Sequence, residues 1–204
     1  MISANIQQII DSCGETNIVV ASKYMDAVSI LEMTHYGLFN YGENRVDALL
    51  SKIEALKDHK EIHWHFIGHL QSNKAKLVAN QVECLHSLDS LKVARIISEE
   101  RTTPLDCYIE LHLTDNDAKS GVKMEDLQGF LDSLKAYPNI HVIGFMAMSD
   151  ADMSDEEKLE VFKRTKSLAD QYGYSYTSMG MSDDYLLAIQ AGSSTVRLGR
   201  ILLR

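Results

Sequence analysis

Apolar positions along this chain alternate between two spacings. Short runs of β-branched, aromatic or small apolar residues give way to stretches in which apolar residues recur every three or four positions. The run 17–23 has a buried-strand pattern. A helix follows from Asp26, carrying Val28, Ile30, Leu31 and Met33. Residues 39–42 form a short second strand, and Val46, Leu49, Leu50, Ile53 and Leu56 make one helical stripe after it. The pattern repeats with strands predicted at 63–68, 83–88, 106–113, 140–148, 174–179 and 195–199. Helices are predicted between them at 73–80, from Asp89 or Ser90 to 100, at 124–135, from Ser154 to about 172, and from a Ser182 cap to 190.

Eight strand–helix units in succession imply parallel pairing, because each helix serves as a crossover between strands. A count of eight favours a closed (β/α)8 TIM barrel, with an open doubly wound sheet as the alternative; 204 residues is small against the ~250 typical of such barrels. No Pro/Gly/Ser-rich linker divides the chain, so 1–204 reads as a single domain. In a barrel, function gathers where strands end and loops begin. The unusual residues do collect there: Lys23, Gly42 to Asn44, Gly68 to Lys74, Ser87 and Asp89, Met146 to Ser149, Ser178 to Ser182, and Arg197 to Arg200.

Composition narrows the classes. Hydrophobic residues at 45% and charged residues at 24% belong to a globular chain and not a disordered one. The net charge of -9, without a basic stripe, argues against nucleic acid as a partner. The three cysteines, Cys13, Cys84 and Cys107, are widely spaced with no CxxC pair, so neither a zinc motif nor a disulfide framework is indicated. The first fourteen residues read as an ordinary helix and not as a signal peptide, and no apolar run nears the ~18 residues of a membrane span. These features point to a reducing, cytoplasmic setting without membrane attachment. Polar outer helix faces make a monomer the expectation.

Several residues could carry chemistry. Lys23 closes an apolar run; a lysine at the rim of a packed core is partly desolvated, which favours the neutral amine needed for a Schiff base. The competing reading is a lysine that snorkels off a strand end. Ser178, Gly180 and Ser182 lie where barrels often build a phosphate site, with Arg197 and Gly199 beside them on the last strand. Ordinary capping by Ser182 would account for the same residues, and Asp183 and Asp184 would repel a phosphate they faced. His63 and His65 share a strand face and His69 follows, but no acid or thiol stands at a recognisable ligand spacing, so no metal is expected. The loop 115–121 shares Asp115 and Asp117 with a calcium loop, yet Lys119 and Gly121 are out of place for one. The methionines Met146, Met148, Met153, Met179 and Met181 read as core and mouth packing.

The combination closely resembles the pyridoxal 5'-phosphate homeostasis protein family, a group of alanine-racemase-like barrels of the fold type III kind. The resemblance rests on Ala21-Ser22-Lys23, Tyr41-Gly42-Glu43-Asn44, the run WHFIGHLQSNK from Trp64 to Lys74, and His86-Ser87-Leu88-Asp89. It continues through Lys119-Ser120-Gly121, Gly144 to Met148, SMGMSDD from Ser178 to Asp184, and Val196-Arg197-Leu198-Gly199. It implies pyridoxal 5'-phosphate held as a Schiff base on Lys23, with Asn44 near the ring. It further implies phosphate contacts from Ser178, Gly180, Gly199 and Arg200, and Arg197 toward the pyridine nitrogen or the phosphate. An arginine facing that nitrogen keeps it unprotonated and weakens the ring as an electron sink. Three departures stand out. Arg200 replaces a hydroxyl residue, the family's Gly-containing aromatic tail is not seen before Arg204, and Glu110-Leu111-His112 replaces neutral amides.

Two functions follow. One is a non-catalytic protein that buffers or delivers pyridoxal phosphate in vitamin B6 homeostasis, with apo-enzymes as possible recipients. The alternative is an amino-acid racemase-like enzyme, which needs acid–base groups on both faces of the α-carbon. Related racemases resemble this barrel but draw the opposite-face tyrosine from a second, β-rich domain. The expectation is therefore a carrier with no catalytic residue, and Tyr24, Tyr41 and Tyr108 are not marked as substitutes.

Overall fold

The computed structural model describes residues 2–114 and 120–203. The calcium-like loop falls almost wholly outside the described residues. Nine parallel strands occur among them: β1 (Asn17–Ala21), β2 (Asn40–Glu43), β3 (His63–Phe66), β4 (Cys84–Leu88), β5 (Leu105–His112), β6 (Val122–Lys123), β7 (Ile140–Met146), β8 (Tyr176–Met181) and β9 (Thr195–Leu198). Eight of them close a barrel in the order β1, β2, β3, β4, β5, β7, β8, β9, with β9 pairing back onto β1. The two-residue β6 is the exception to the predicted count and adds to the outer end of β5.

The helices are α1 (Ile6–Cys13), α2 (Ala27–Thr34), α3 (Val46–Ala55), α4 (Ser72–Val78), α5 (Leu91–Glu100), α6 (Leu127–Leu134), α7 (Asp155–Gln171) and α8 (Tyr185–Gln190). Three of their starts are capped by polar side chains. Asp26 accepts from the Ser29 amide at α2, Ser90 accepts from Val93 at α5, and Ser154 and Glu157 exchange hydrogen bonds as a capping box at α7. Ser182 does not cap α8. Asp184 occupies that position, and its carboxylate accepts from the Met181 amide at 2.6 Å and from Ser149 Oγ at 2.5 Å.

Strand alternation sorts side chains to two sides of the barrel wall. Ile18, Val20, Tyr41, Trp64, Phe66, Leu85, Ile109, Phe145, Val196 and Leu198 point outward into one large core beneath the helices. The inward set is different in kind: His65, Cys84, His86, Tyr108, Glu110, Met146, Ser178 and Arg197. The barrel is therefore cemented from outside and wired by polar contacts within. No helix among the described residues is long and apolar enough to cross a membrane.

Candidate cofactor site

β1 ends at Ala21, and a single 3-10 turn, Ser22–Tyr24, carries the chain out of the barrel. Lys23 sits on this turn and not on the strand itself. Its side chain is exposed, contrary to the expected partial desolvation, with Nζ 5.0 Å from the centroid of the Tyr24 ring. The turn is anchored from below. Ser22 is fully buried; its hydroxyl donates to Glu43 Oε1 at 3.0 Å, and its carbonyl accepts from Lys52 Nζ at 2.6 Å. Glu43, also fully buried, pairs with Lys52 and accepts from the Asn44 amide at 3.1 Å. One carboxylate thus joins the end of β1, the end of β2 and α3.

Arg197 comes from the middle of β9 and is almost completely buried. Its guanidinium donates to the Ser178 carbonyl at 2.8 Å, to Ser178 Oγ, and to the Ala147 carbonyl at 3.4 Å. Burial lowers its pKa to about 10, so it remains a cation at neutral pH. Glu110 faces the same interior. Burial raises its pKa, against the opposing influence of the Ser120 hydroxyl, which donates to it at 2.9 Å, and of Arg197. On the outer rim, Arg200 pairs with Asp183, and His69 stands 3.6 Å from Asp89.

These groups surround a cavity of about 500 Å³ at the end of the barrel where the strands finish. Of the seven residues named from the sequence, Lys23, Asn44, Arg197, Gly199 and Arg200 line it. Ser178 and Gly180 do not. Ser178 is wholly buried between Arg197 and His86, so its hydroxyl holds the arginine in place. Gly180 has φ +89, and an added Cβ would fall 2.5 Å from Ala188 Cβ; it lets α8 pack closely on β8. The expected helix N-terminus is also a short one, since α8 has only six residues and Asp184 already takes the Met181 amide. Ser182 does reach the cavity wall, but its oxygen accepts from the Gly199 and Ile201 amides and so fixes the turn after β9. Glu110, Ser120, His69, Met148 and Met181 complete the wall. Ser120, His69, Met148 and Met181 fall in segments that the sequence places at strand ends or among the family-resembling motifs, and Glu110 is the one that departs from the family's neutral amides.

The family model for the alanine racemase N-terminal domain matches residues 1–203. A pyridoxal phosphate homeostasis protein of Aquifex aeolicus is 36% identical over 191 residues, covering 89% of this chain and 83% of the relative. That of Escherichia coli K12 is 31% identical over 219 residues, covering 97% and 94%. The chain belongs to the alanine racemase N-terminal domain family, among the pyridoxal phosphate homeostasis proteins. PipY of Synechococcus elongatus PCC7942, solved with PLP bound, superposes with TM-score 0.88 at 26% identity, covering 98% of this chain and all of that one. Alanine racemase of Corynebacterium glutamicum shares the fold, with TM-score 0.73 at 15% identity; this chain spans 58% of it.

The donor set suits the cofactor this family's name implies. A primary amine, a buried guanidinium and a second, rim guanidinium border one cavity, whose volume lies within the ~300–1,000 Å³ usual for small-ligand sites. Gly199 keeps the wall thin: an added Cβ would come within 3.2 Å of the Ala21 carbonyl and Cβ.

Proposed function

We propose that this chain binds pyridoxal 5'-phosphate in the upper cavity, as a Schiff base on Lys23, and serves vitamin B6 homeostasis as a cofactor carrier. The observation that carries the reading is the convergence of Lys23, Arg197 and Arg200 on one cavity. Lys23 Nζ is the amine that condenses with the aldehyde, releasing one water. Arg200, beside the Gly199 turn, is the rim cation for the phosphate dianion, and Asn44 is the polar neighbour of the ring. Bound to an amino acid, the cofactor would offer an electron sink for charge developing at the α-carbon. Arg197 remains charged and is held by Ser178, which disfavours protonation of a pyridine nitrogen facing it. Such a wall retains the cofactor better than it activates it.

The carrier reading over a racemase-like enzyme is supported by the relatives' naming as homeostasis proteins and by where two of the tyrosines stand. Among the described residues, Tyr24 extends into solvent and Tyr108 bonds Thr195 at 3.4 Å inside the barrel floor. We infer further that the protein acts as a monomer and passes its cofactor to apo-enzymes. Three free buried thiols support a reducing, cytoplasmic setting.

The test is the visible absorbance of the purified protein titrated with pyridoxal phosphate, repeated on Lys23→Ala, with borohydride reduction to fix the imine. A visible imine band in the parent, absent from the variant, and a reduced adduct mapping to Lys23 are expected. An identical band in Lys23→Ala would overturn the assignment. Deuterium exchange at the α-carbon of added L-alanine at a rate above that of free cofactor would overturn the carrier reading.

A further inference from the structure

The barrel holds a second cavity, of about 290 Å³, at the opposite mouth where the strands begin. Glu83 and Asp106 stand at its rim, and His65, Cys84, His86 and Tyr108 line it. His65 from β3 and Cys84 and His86 from β4 bring three ligand atoms within 4.8 Å of one another. The cysteine and histidine spacings alone do not announce this set, because His65 meets Cys84 and His86 only through the pairing of β3 with β4.

The proton positions in this cluster follow from its two ends. Asn40 Oδ1 can only accept, so His65 carries its proton on Nε2, 3.2 Å away. That leaves the His65 Nδ1 lone pair aimed at His86 Nε2 at 3.0 Å. At the other end Arg197 can only donate, so the hydroxyl hydrogen of Ser178 is free to point at His86 Nδ1, 2.8 Å distant. Two neutral rings therefore face each other nitrogen to nitrogen, with one proton between them and a buried thiol alongside. Burial keeps both rings neutral: it lowers the pKa of His65 to about 4 and that of His86 well below its usual value.

We propose that His65 Nδ1, His86 Nε2 and Cys84 Sγ form a binding site for one zinc-class divalent cation, with a fourth position open to the lower cavity. Tetrahedral zinc, with nitrogens at ~2.0–2.1 Å and sulfur at ~2.3 Å, sets its ligand atoms roughly 3.3–3.6 Å apart. The nitrogens here need to separate by a few tenths of an ångström, and the sulfur needs to close by up to about 1.2 Å. Binding takes the proton from between the rings. It moves to His86 Nδ1, where Ser178 Oγ accepts it as the outer partner of the ligand. Burial holds the Cys84 thiol pKa well above its ordinary value, so the ion itself must displace that proton to solvent. The thiolate then offsets one of the ion's two positive charges. The acidic rim of Glu83 and Asp106 draws a cation to the mouth.

The experiment uses the purified full chain, treated with chelator and then titrated with Co2+ or Zn2+ without pyridoxal phosphate. Expected are one Co2+ per chain with a near-ultraviolet thiolate-to-cobalt absorption, release of about one proton per Zn2+, and a rise in melting temperature. Cys84→Ser should abolish the absorption, and His65→Asn should weaken binding at least 10-fold, both with parent-like far-ultraviolet circular dichroism. If Cys84→Ser does not fold, protection of Cys84 from alkylation by Zn2+ in the parent, read by mass spectrometry, takes its place. A dissociation constant weaker than about 1 mM, an absorption that survives Cys84→Ser, or alkylation of Cys84 unaffected by Zn2+ would overturn the site.

Discussion

The hydroxyl of Ser22 donates to Oε1 of Glu43 across 3.0 Å, and both side chains are sealed from solvent. Through that bond, Lys23 at the cavity mouth takes its position from a carboxylate buried between the barrel wall and α3. The same carboxylate pairs with Lys52 and receives the Asn44 amide. Removing one partner of a buried ion pair leaves an uncompensated charge, which costs roughly 3–5 kcal/mol. Glu43→Ala is expected to lose about that much stability in urea denaturation. At temperatures where it stays folded, it should also bind pyridoxal phosphate more weakly, because the Lys23 turn loses its anchor. Parent-like stability would show that the carboxylate does not carry this junction.

Ser178 and Arg197 form a second such pairing, reached from a different direction. The guanidinium holds both the hydroxyl and the carbonyl of Ser178, and His86 holds the hydroxyl from behind. A hydrogen bond to a charged group contributes ~1.5–3 kcal/mol. Ser178→Ala should cost an amount in that range in urea and should loosen pyridoxal phosphate binding through Arg197, with the imine band on Lys23 still formed at saturation. Loss of the band at saturation would mean that Ser178 touches the cofactor itself, as the resemblance first implied.

What the sequence made legible follows from what each pattern measures. Apolar periodicity measures burial against helices, and it located all eight barrel strands to within a few residues, because their outward faces share one core. It missed β6, since two residues present no period. It was silent on the interior, where His65, Cys84, His86, Glu110, Ser178 and Arg197 are polar or small and meet only through closure of the sheet. Lys23, Asn44, Gly199 and Arg200, named from loop bases, line the upper cavity because barrel topology places strand ends together. Ser178 and Gly180, named for the phosphate, do not line the upper cavity. Sequence proximity to Ser182 suggested a helix-terminal phosphate cradle, whereas strand alternation turns the Ser178 side chain inward, and Gly180 packs under α8. Asp184 displaced Ser182 as the cap because its carboxylate reaches back to the Met181 amide and to Ser149 together.

The rim pair Arg200–Asp183 sets a modest brake on anion binding. Both side chains are more than half exposed, and such pairs are worth ~0–1 kcal/mol. Asp183→Asn should therefore tighten pyridoxal phosphate binding by at most about 5-fold, with a stronger salt dependence of the difference than a buried pair would show. Arg200→Ala should weaken it, and the loss should be smaller for pyridoxal, which lacks the phosphate. Equal losses for the two compounds would place Arg200 away from the phosphate.

Glu110 should reveal itself through pH. Its folded pKa is raised, by burial first, above the ordinary 4.5. The folded state thus holds the Glu110 proton more tightly than the unfolded chain does. The stability this group contributes is fully present below about 4.5 and is lost as pH rises through the higher folded value. Glu110→Gln keeps the shape and the acceptor for Ser120 but cannot ionise. Measured by urea midpoint, the variant should gain on the parent as pH climbs from 4.5 toward neutrality, and that advantage should disappear on the acid side. Glu110 also lines the cavity opposite the buried Arg197. The parent's affinity for pyridoxal phosphate should accordingly fall more steeply than the variant's as the carboxylate gains its charge. Parallel pH curves for the two proteins would mean that Glu110 keeps one protonation state across the range and does not tune the site.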